Sequence, residues 1–192
     1  MRIPSSFTAR VLGCCLLAAA PALASAQAAA PAKPAVGTAI APAQIYGKLL
    51  ALEEGEFVAA ADAMPEDKFD FAPPTTYGDF KGVRTFADQV KHVAEANQYF
   101  FHDPSKPLVD DREAFAKLKT KAEIMQALKD SFVVAHTYVD GITAENAFIQ
   151  TSNGTRAGSA AFGIAHMMDH YGQMVEYLRM NGIVPPASQP KK

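Results

Sequence analysis

The run His166-Met167-Met168-Asp169-His170-Tyr171-Gly172-Gln173 holds the side chains best suited to chemistry. It lies inside a helical pattern that spans Ser159 to Asn181. Residues four apart on a helix are neighbours on one face, so both imidazoles can reach one metal ion. A third histidine, His92, takes a matching angular position on a separate helical pattern. Three neutral imidazoles with one open position describe a metal site that binds and activates water. On residue types alone a plainer alternative stands, with His92 as a surface residue and His166 and His170 as a polar flank.

Two helices must position these groups. On a wheel of ~100° per residue, His166 and His170 fall within ~40° of one another. Met174, Met167, Leu178, Tyr171 and Ile164 continue as a broad apolar arc, and Asp169, Glu176 and Arg179 take the polar side. The histidine pair therefore stands at the margin of a core, beside Gln173 and Tyr177. The helix carrying His92 repeats this arrangement, with Phe86, Val90, Val93, Phe100 and Phe101 as its apolar arc.

The remaining pattern is helical as well, and nothing reads as a sheet. A first helix is expected over Ala43 to Ala63, with Ile45, Leu49 and Leu52 on its core side, ending at Met64-Pro65. A long connection, Glu66 to Val83, carries Pro73-Pro74 and aromatic residues that can cover one end of a bundle. Thr85 caps the second helix, which runs to about Phe101, and a short helical turn is expected near Asp111 to Leu118. Thr120 with Glu123 forms a capping box for the third helix, whose core stripe is Ile124, Leu128, Ala135, Val139 and Ile142. The segment Thr151 to Gly158, with Asn153-Gly154, reads as a turn, and the fourth helix stops at Gly182 before Pro185-Pro186. Four helices of comparable length predict an all-α four-helix bundle with a long connection between helices 1 and 2.

The 192-residue chain divides into four expected parts. Arg2 and Arg10, an apolar run from Val11 to Ala20 and the small residues Ala24-Ser25-Ala26 read as a signal peptide over residues 1–26. A lipoprotein box at Val11-Leu12-Gly13-Cys14 is disfavoured because Arg10 leaves no apolar stretch before it. Residues 27–41 read as a flexible Ala/Pro-rich leader, 42–184 as the bundle and 185–192 as a disordered tail. The expected location is therefore the bacterial periplasm or the medium, with no stable membrane insertion after cleavage. Both cysteines, Cys14 and Cys15, fall in the segment to be removed, so a metal site in the mature chain must use His, Asp or Glu. A net charge of −2 without a basic stripe excludes nucleic acid as an expected partner.

Three stretches of the sequence resemble the DinB/YfiT-like superfamily of metal-dependent four-helix bundles. They are Ala63-Met-Pro-Glu-Asp-Lys-Phe-Asp-Phe71, Arg84-Thr-Phe-Ala-Asp-Gln-Val-Lys-His92-Val-Ala-Glu-Ala-Asn97, and the run from His166 to Pro186. The resemblance implies a divalent metal, Zn, Ni or Fe, held by one histidine of the second helix and a His-x-x-x-His pair of the fourth. Those residues are His92, His166 and His170. Imidazole nitrogen suits several of these ions, so the residues do not choose among them. Many relatives carry Arg directly after the last ligand where this chain has Tyr171, which leaves any anion or thiol contact by that arginine without a counterpart here. Such proteins are often dimeric. That and the broad arc of Ile164, Tyr171, Val175 and Leu178 make a homodimer the expected assembly.

Other candidates read more plainly. Asn97, in the apolar arc of its helix, is expected to tie two helices together. Glu53 and Glu56 could serve as second-layer carboxylates near a metal, but solvated helix charge is the expected role. Glu95 points towards the polar side. His136 reads as a partly buried structural histidine and His102 as a helix-end histidine. Met125, Met167, Met168, Met174 and Met180 read as adaptable core filling. Gly172 either permits a close helix approach or is simply small, and Asn153-Gly154-Thr155 is a turn. Two function classes follow. One is a metal-dependent hydrolase or thiol-dependent transferase acting on a small molecule. The other is a noncatalytic metal-binding or stress-associated module.

Overall fold

The computed structural model describes residues 33–109 and 111–190. The expected signal peptide, 1–26, and the start of the leader lie outside the described residues. The described residues divide into two units at Thr38/Ala39. The first, residues 33–38, forms a turn in which Thr38 N donates to Ala35 O at 3.1 Å. The second holds the fold. Among the described residues no helix is long and apolar enough to cross a membrane.

Five helices follow in order: α1 (Pro42–Ala63), α2 (Phe86–Phe100), α3 (Arg112–Lys117), α4 (Lys121–Asp140) and α5 (Arg156–Met180). The four long ones form the bundle. Helix α1 packs on α4 and α5, and α2 packs on the same two, so α1 and α2 sit diagonally. The expected caps form. Thr85 Oγ1 accepts from Asp88 N at 3.1 Å, and Thr120 with Glu123 makes the reciprocal capping box of α4. Helix α5 ends in a Schellman turn, in which Gly182 N donates to Arg179 O and Ile183 N to Leu178 O, both at 2.9 Å. Gly182 supplies the positive φ, 74°, that this turn requires.

The connection between α1 and α2 closes one end of the bundle, as its aromatic residues suggest. Phe69 packs edge-on against Phe86 with ring centroids 5.4 Å apart, and Phe71 meets Tyr177 at 5.8 Å. The carbonyls of Phe71 and Phe69 accept the otherwise orphan N–H groups of Phe86 and Ala87, each at 2.8 Å. This seals the start of α2 just ahead of His92.

Several expectations need correction. The chain contains a minimal two-stranded antiparallel ladder, β1 (Gln150–Thr151) with β2 (Gly154–Thr155), where none was foreseen. The ladder carries the chain into α5 at Arg156, three residues before the expected Ser159, because Thr155 caps the helix by accepting from Gly158 N at 3.0 Å. On α1, Ile45, Leu49 and Leu52 are exposed, and the buried line is Leu50, Glu53, Phe57, Ala60 and Ala61. The helix is apolar on two sides, and a carboxylate inside the true core line hides it from a hydrophobicity pattern. Met168 and Met180 are exposed, whereas Met125, Met167 and Met174 fill the core as expected. The close helix approach lies at Gly163 rather than Gly172. A Cβ at Gly163 would meet the Phe101 ring at 2.6 Å, while one at Gly172 would meet nothing within 4 Å. Gly163 thus lets α5 press onto the end of α2, one turn before His166. Ile164 and Leu178, expected to leave apolar surface for a partner, are buried within the chain.

Candidate metal centre

The three histidines come together in the groove between α2 and α5. His166 Nε2 lies 3.2 Å from His92 Nε2 and 3.2 Å from His170 Nε2. One ring nitrogen of each falls within 4.8 Å of the other two. Imidazoles bound tetrahedrally at zinc-like distances stand about 3.3 Å apart, nitrogen to nitrogen. The donor set therefore fits a single divalent ion. Among the described residues no fourth His, Cys, Asp or Glu joins this group.

The electrostatics suit neutral ligands. Burial pushes the His92 imidazolium down to about 4, and the positive charge of Arg84 acts in the same sense. His170 is likewise pushed down to about 4 by burial, with His166 and His92 adding to the effect. Burial lowers His166 too, while the Asp169 carboxylate pulls the other way. At neutral pH the lone pairs are not taken up by protons, which a metal ligand requires.

Two adjoining imidazoles of the cluster differ in their support. His170 is buried and its Nδ1 lies 2.6 Å from Gln89 Oε1. Gln89 Nε2 donates to Gln173 Oε1 at 2.7 Å, and Gln173 Nε2 donates to Asp169 Oδ2 at 3.1 Å. His166 Nδ1 is buried and has no hydrogen-bond partner. Its ring is fixed by packing, with the Phe100 ring centroid at 5.4 Å. Gln89 was missed in the sequence. It stands three residues before His92, and Gln173 three after His170, so the same-face spacing that pairs the histidines also flags both amides.

Cavities open on the triad. One of about 430 Å³ is lined by His92 and His166 together with Tyr99, Phe100, Leu108 and Val109. Another of about 500 Å³ is lined by His92, Arg84, Lys91 and Arg112 with Asp88 and Glu95. Lys91 is already paired with Asp88 at 2.8 Å. Tyr171 turns elsewhere. Burial and the charges of Glu56 and Glu53 on α1 raise its phenol, which places it in the α1/α5 groove. Arg84, not the residue after His170, brings positive charge to the mouth of the site.

The remaining candidates fall mostly as expected. Asn97 Nδ2 donates to Ser131 Oγ at 3.0 Å, joining α2 to α4. His136 Nε2 meets Glu54 Oε2 at 2.7 Å, and His102 Nδ1 meets the Tyr99 carbonyl at 3.0 Å beyond the end of α2. Neither belongs to the cluster. Glu53 departs from its expected solvated role, since it is only 4% exposed and its Oε2 lacks a partner.

A diagonal bundle with three imidazoles between its second and last long helices defines a class of protein. The family model of the DinB superfamily matches residues 49–174, well over half of the chain, and the protein belongs to that superfamily. No curated protein matches it.

Proposed function

We propose that the protein binds one divalent metal ion through His92, His166 and His170 and uses it in hydrolysis or thiol transfer on a small molecule. The observation that carries this reading is the convergence of three imidazole nitrogens, 3.2 Å apart in two of the pairs, at the edge of open cavities. A divalent ion held there lowers the pKa of water or of a substrate thiol towards neutrality. The chain's own residues supply the rest. The buried imidazoles stay unprotonated. Phe100, Leu108 and Val109 exclude water from one side of the approach. Arg84 favours an anionic group on the other. A set of three protein ligands with room beside it supports a reactive site over a purely structural one, which is ordinarily closed by four.

The test is metal content and affinity of the purified full chain, followed by a screen of ester, amide and thiol substrates with the metal-loaded protein. One ion per chain, lost in His170→Ala, and turnover that depends on that ion would support the reading. Four protein ligands to the ion by X-ray absorption, with no turnover, would favour the noncatalytic module. The amino-terminal composition supports export of the chain with cleavage near Gln27, which sequencing of the amino terminus of periplasmic material tests.

A further inference from the structure

Hydrogen-bond direction in the chain His170, Gln89, Gln173, Asp169 is determined from its far end. A carboxylate can only accept. Asp169 Oδ2, at 3.1 Å, therefore calls for the amide nitrogen of Gln173. That leaves Gln173 Oε1 facing Gln89 at 2.7 Å, where it must receive the Gln89 amide nitrogen. Gln89 Oε1 then faces His170 Nδ1 at 2.6 Å and must receive a proton from it. A ring that carries its proton on Nδ1 presents its lone pair on Nε2, the atom turned towards His166. Reversing both amides and the imidazole together preserves every contact but one. The Gln173 oxygen would then oppose the Asp169 carboxylate.

We propose that Asp169, Gln173 and Gln89 form a relay of positioning residues that fixes the Nδ1–H tautomer of His170 and so presents its Nε2 to a metal before any metal arrives. The inference rests on the metal reading for its purpose, although the tautomer is a property of the metal-free protein. His166 shows what the relay adds: its Nδ1 is buried without a partner, and its Nε2 faces the His170 lone pair at 3.2 Å, so in the metal-free protein its proton sits on Nε2, the atom a metal would need. Gln89 is buried and joins α2 to α5, whereas Asp169 is exposed and can be changed with little consequence for folding.

The experiment uses ¹⁵N-histidine-labelled full-length chain, with long-range ¹H–¹⁵N spectra recorded without metal and zinc affinity measured separately. In the wild type, His170 shows a single Nδ1–H pattern and His166 the complementary Nε2–H pattern. In Asp169→Asn the terminal group can donate as well as accept, so His170 moves to a mixture. Zinc affinity then falls, by up to the roughly 10- to 100-fold that loss of an outer partner of a metal ligand costs. Gln89→Leu gives the larger loss and Gln89→Glu, which keeps an acceptor for Nδ1, recovers most of it. An Nε2–H pattern for His170 in the wild type, or an unchanged His170 pattern in a folded Asp169→Asn protein, overturns the relay. Failure of the wild type to bind zinc while His170 shows the expected tautomer shift would sink the metal reading and leave the relay standing.

Discussion

The two grooves beside α5 bury titratable groups in opposite ways. On the α2 side, three imidazoles lie together and the most buried of them is tied through two amides to a surface carboxylate. On the α1 side, Glu53 is buried with an unpartnered oxygen near Glu56, and both charges reach Tyr171. Uncharged imidazoles tolerate burial and keep lone pairs that a cation can use. A buried carboxylate without a partner is a cost with no ligand to offset it. The contrast marks the α2/α5 groove as the functional one, although both carry residues that could bind a metal.

The largest effect should come from removing a ligand. His170→Ala or His166→Ala is expected to weaken zinc binding by at least about 100-fold, the upper end of what losing an outer-layer partner costs. His136→Ala and His102→Ala should leave the stoichiometry unchanged, because both side chains have other partners. Metal analysis by mass spectrometry on each protein decides this. Full occupancy in His170→Ala, or loss of metal in His136→Ala, would erase the distinction between the grooves.

Acid should expose the same contrast without mutation. His92 and His170 drop from the ordinary 6.5 to about 4 on folding, so between those values the unfolded chain binds protons that the folded chain refuses. Stability is therefore highest above 6.5 and is lost as pH falls towards 4. Each group contributes at most ~1.4 kcal/mol per pH unit. Zinc, by binding only the folded chain, should reduce the loss until protons displace it. Urea titrations across pH, with and without zinc, test this. A metal-free stability that does not change between pH 7 and 4.5 would show that the imidazoles are not desolvated.

Glu53 should behave with the opposite sign. Burial, reinforced by Glu56, raises its carboxyl above 4.5. Its neutral form supports the fold below that value, and the support is lost as pH rises through the raised value. Glu53→Met is expected to stabilise the protein at pH 7 by about 1–3 kcal/mol, the range for removing an unsatisfied buried polar group. It should flatten the loss on the alkaline side and leave zinc affinity within about twofold. A large fall in zinc affinity would move Glu53 into the metal site's surroundings and break the division between the grooves.

The groove that was legible in the sequence is also the one with the chemistry. On α2 and α5 the apolar arcs are broad and the histidines stand at their margins, so a wheel places His92, His166 and His170 correctly. The capping residues Thr85 and Thr120 and the stop at Gly182 fix the helix ends through hydrogen bonds that local sequence encodes. Helix α1 misleads because Ile45, Leu49 and Leu52 form a regular outward stripe, while the inward line contains Glu53 and two alanines. Only the packing of α4 and α5 around Phe57 decides between the two faces. The relay was not legible as a relay. Same-face spacing flags Gln89 and Gln173 separately, but their meeting depends on how closely α2 and α5 approach, which Gly163 and Phe101 set.

The smallest expected effect lies at the residue between the grooves. Tyr171 follows His170 directly, and the superfamily resemblance raises the question of whether this position touches substrate. Its half-buried phenol is raised by burial and by Glu56 and Glu53, all features of the α1 side. Tyr171→Phe keeps the ring and removes only the hydroxyl. It should change stability by less than about 1.5 kcal/mol, the upper end for a single net hydrogen bond. Zinc affinity and the histidine spectra should not move, since no ligand and no member of the amide chain touches the hydroxyl. Calorimetry and zinc titration of this one variant therefore decide on which side of α5 the residue acts. A loss of zinc affinity beyond tenfold would place Tyr171 in the α2/α5 groove after all.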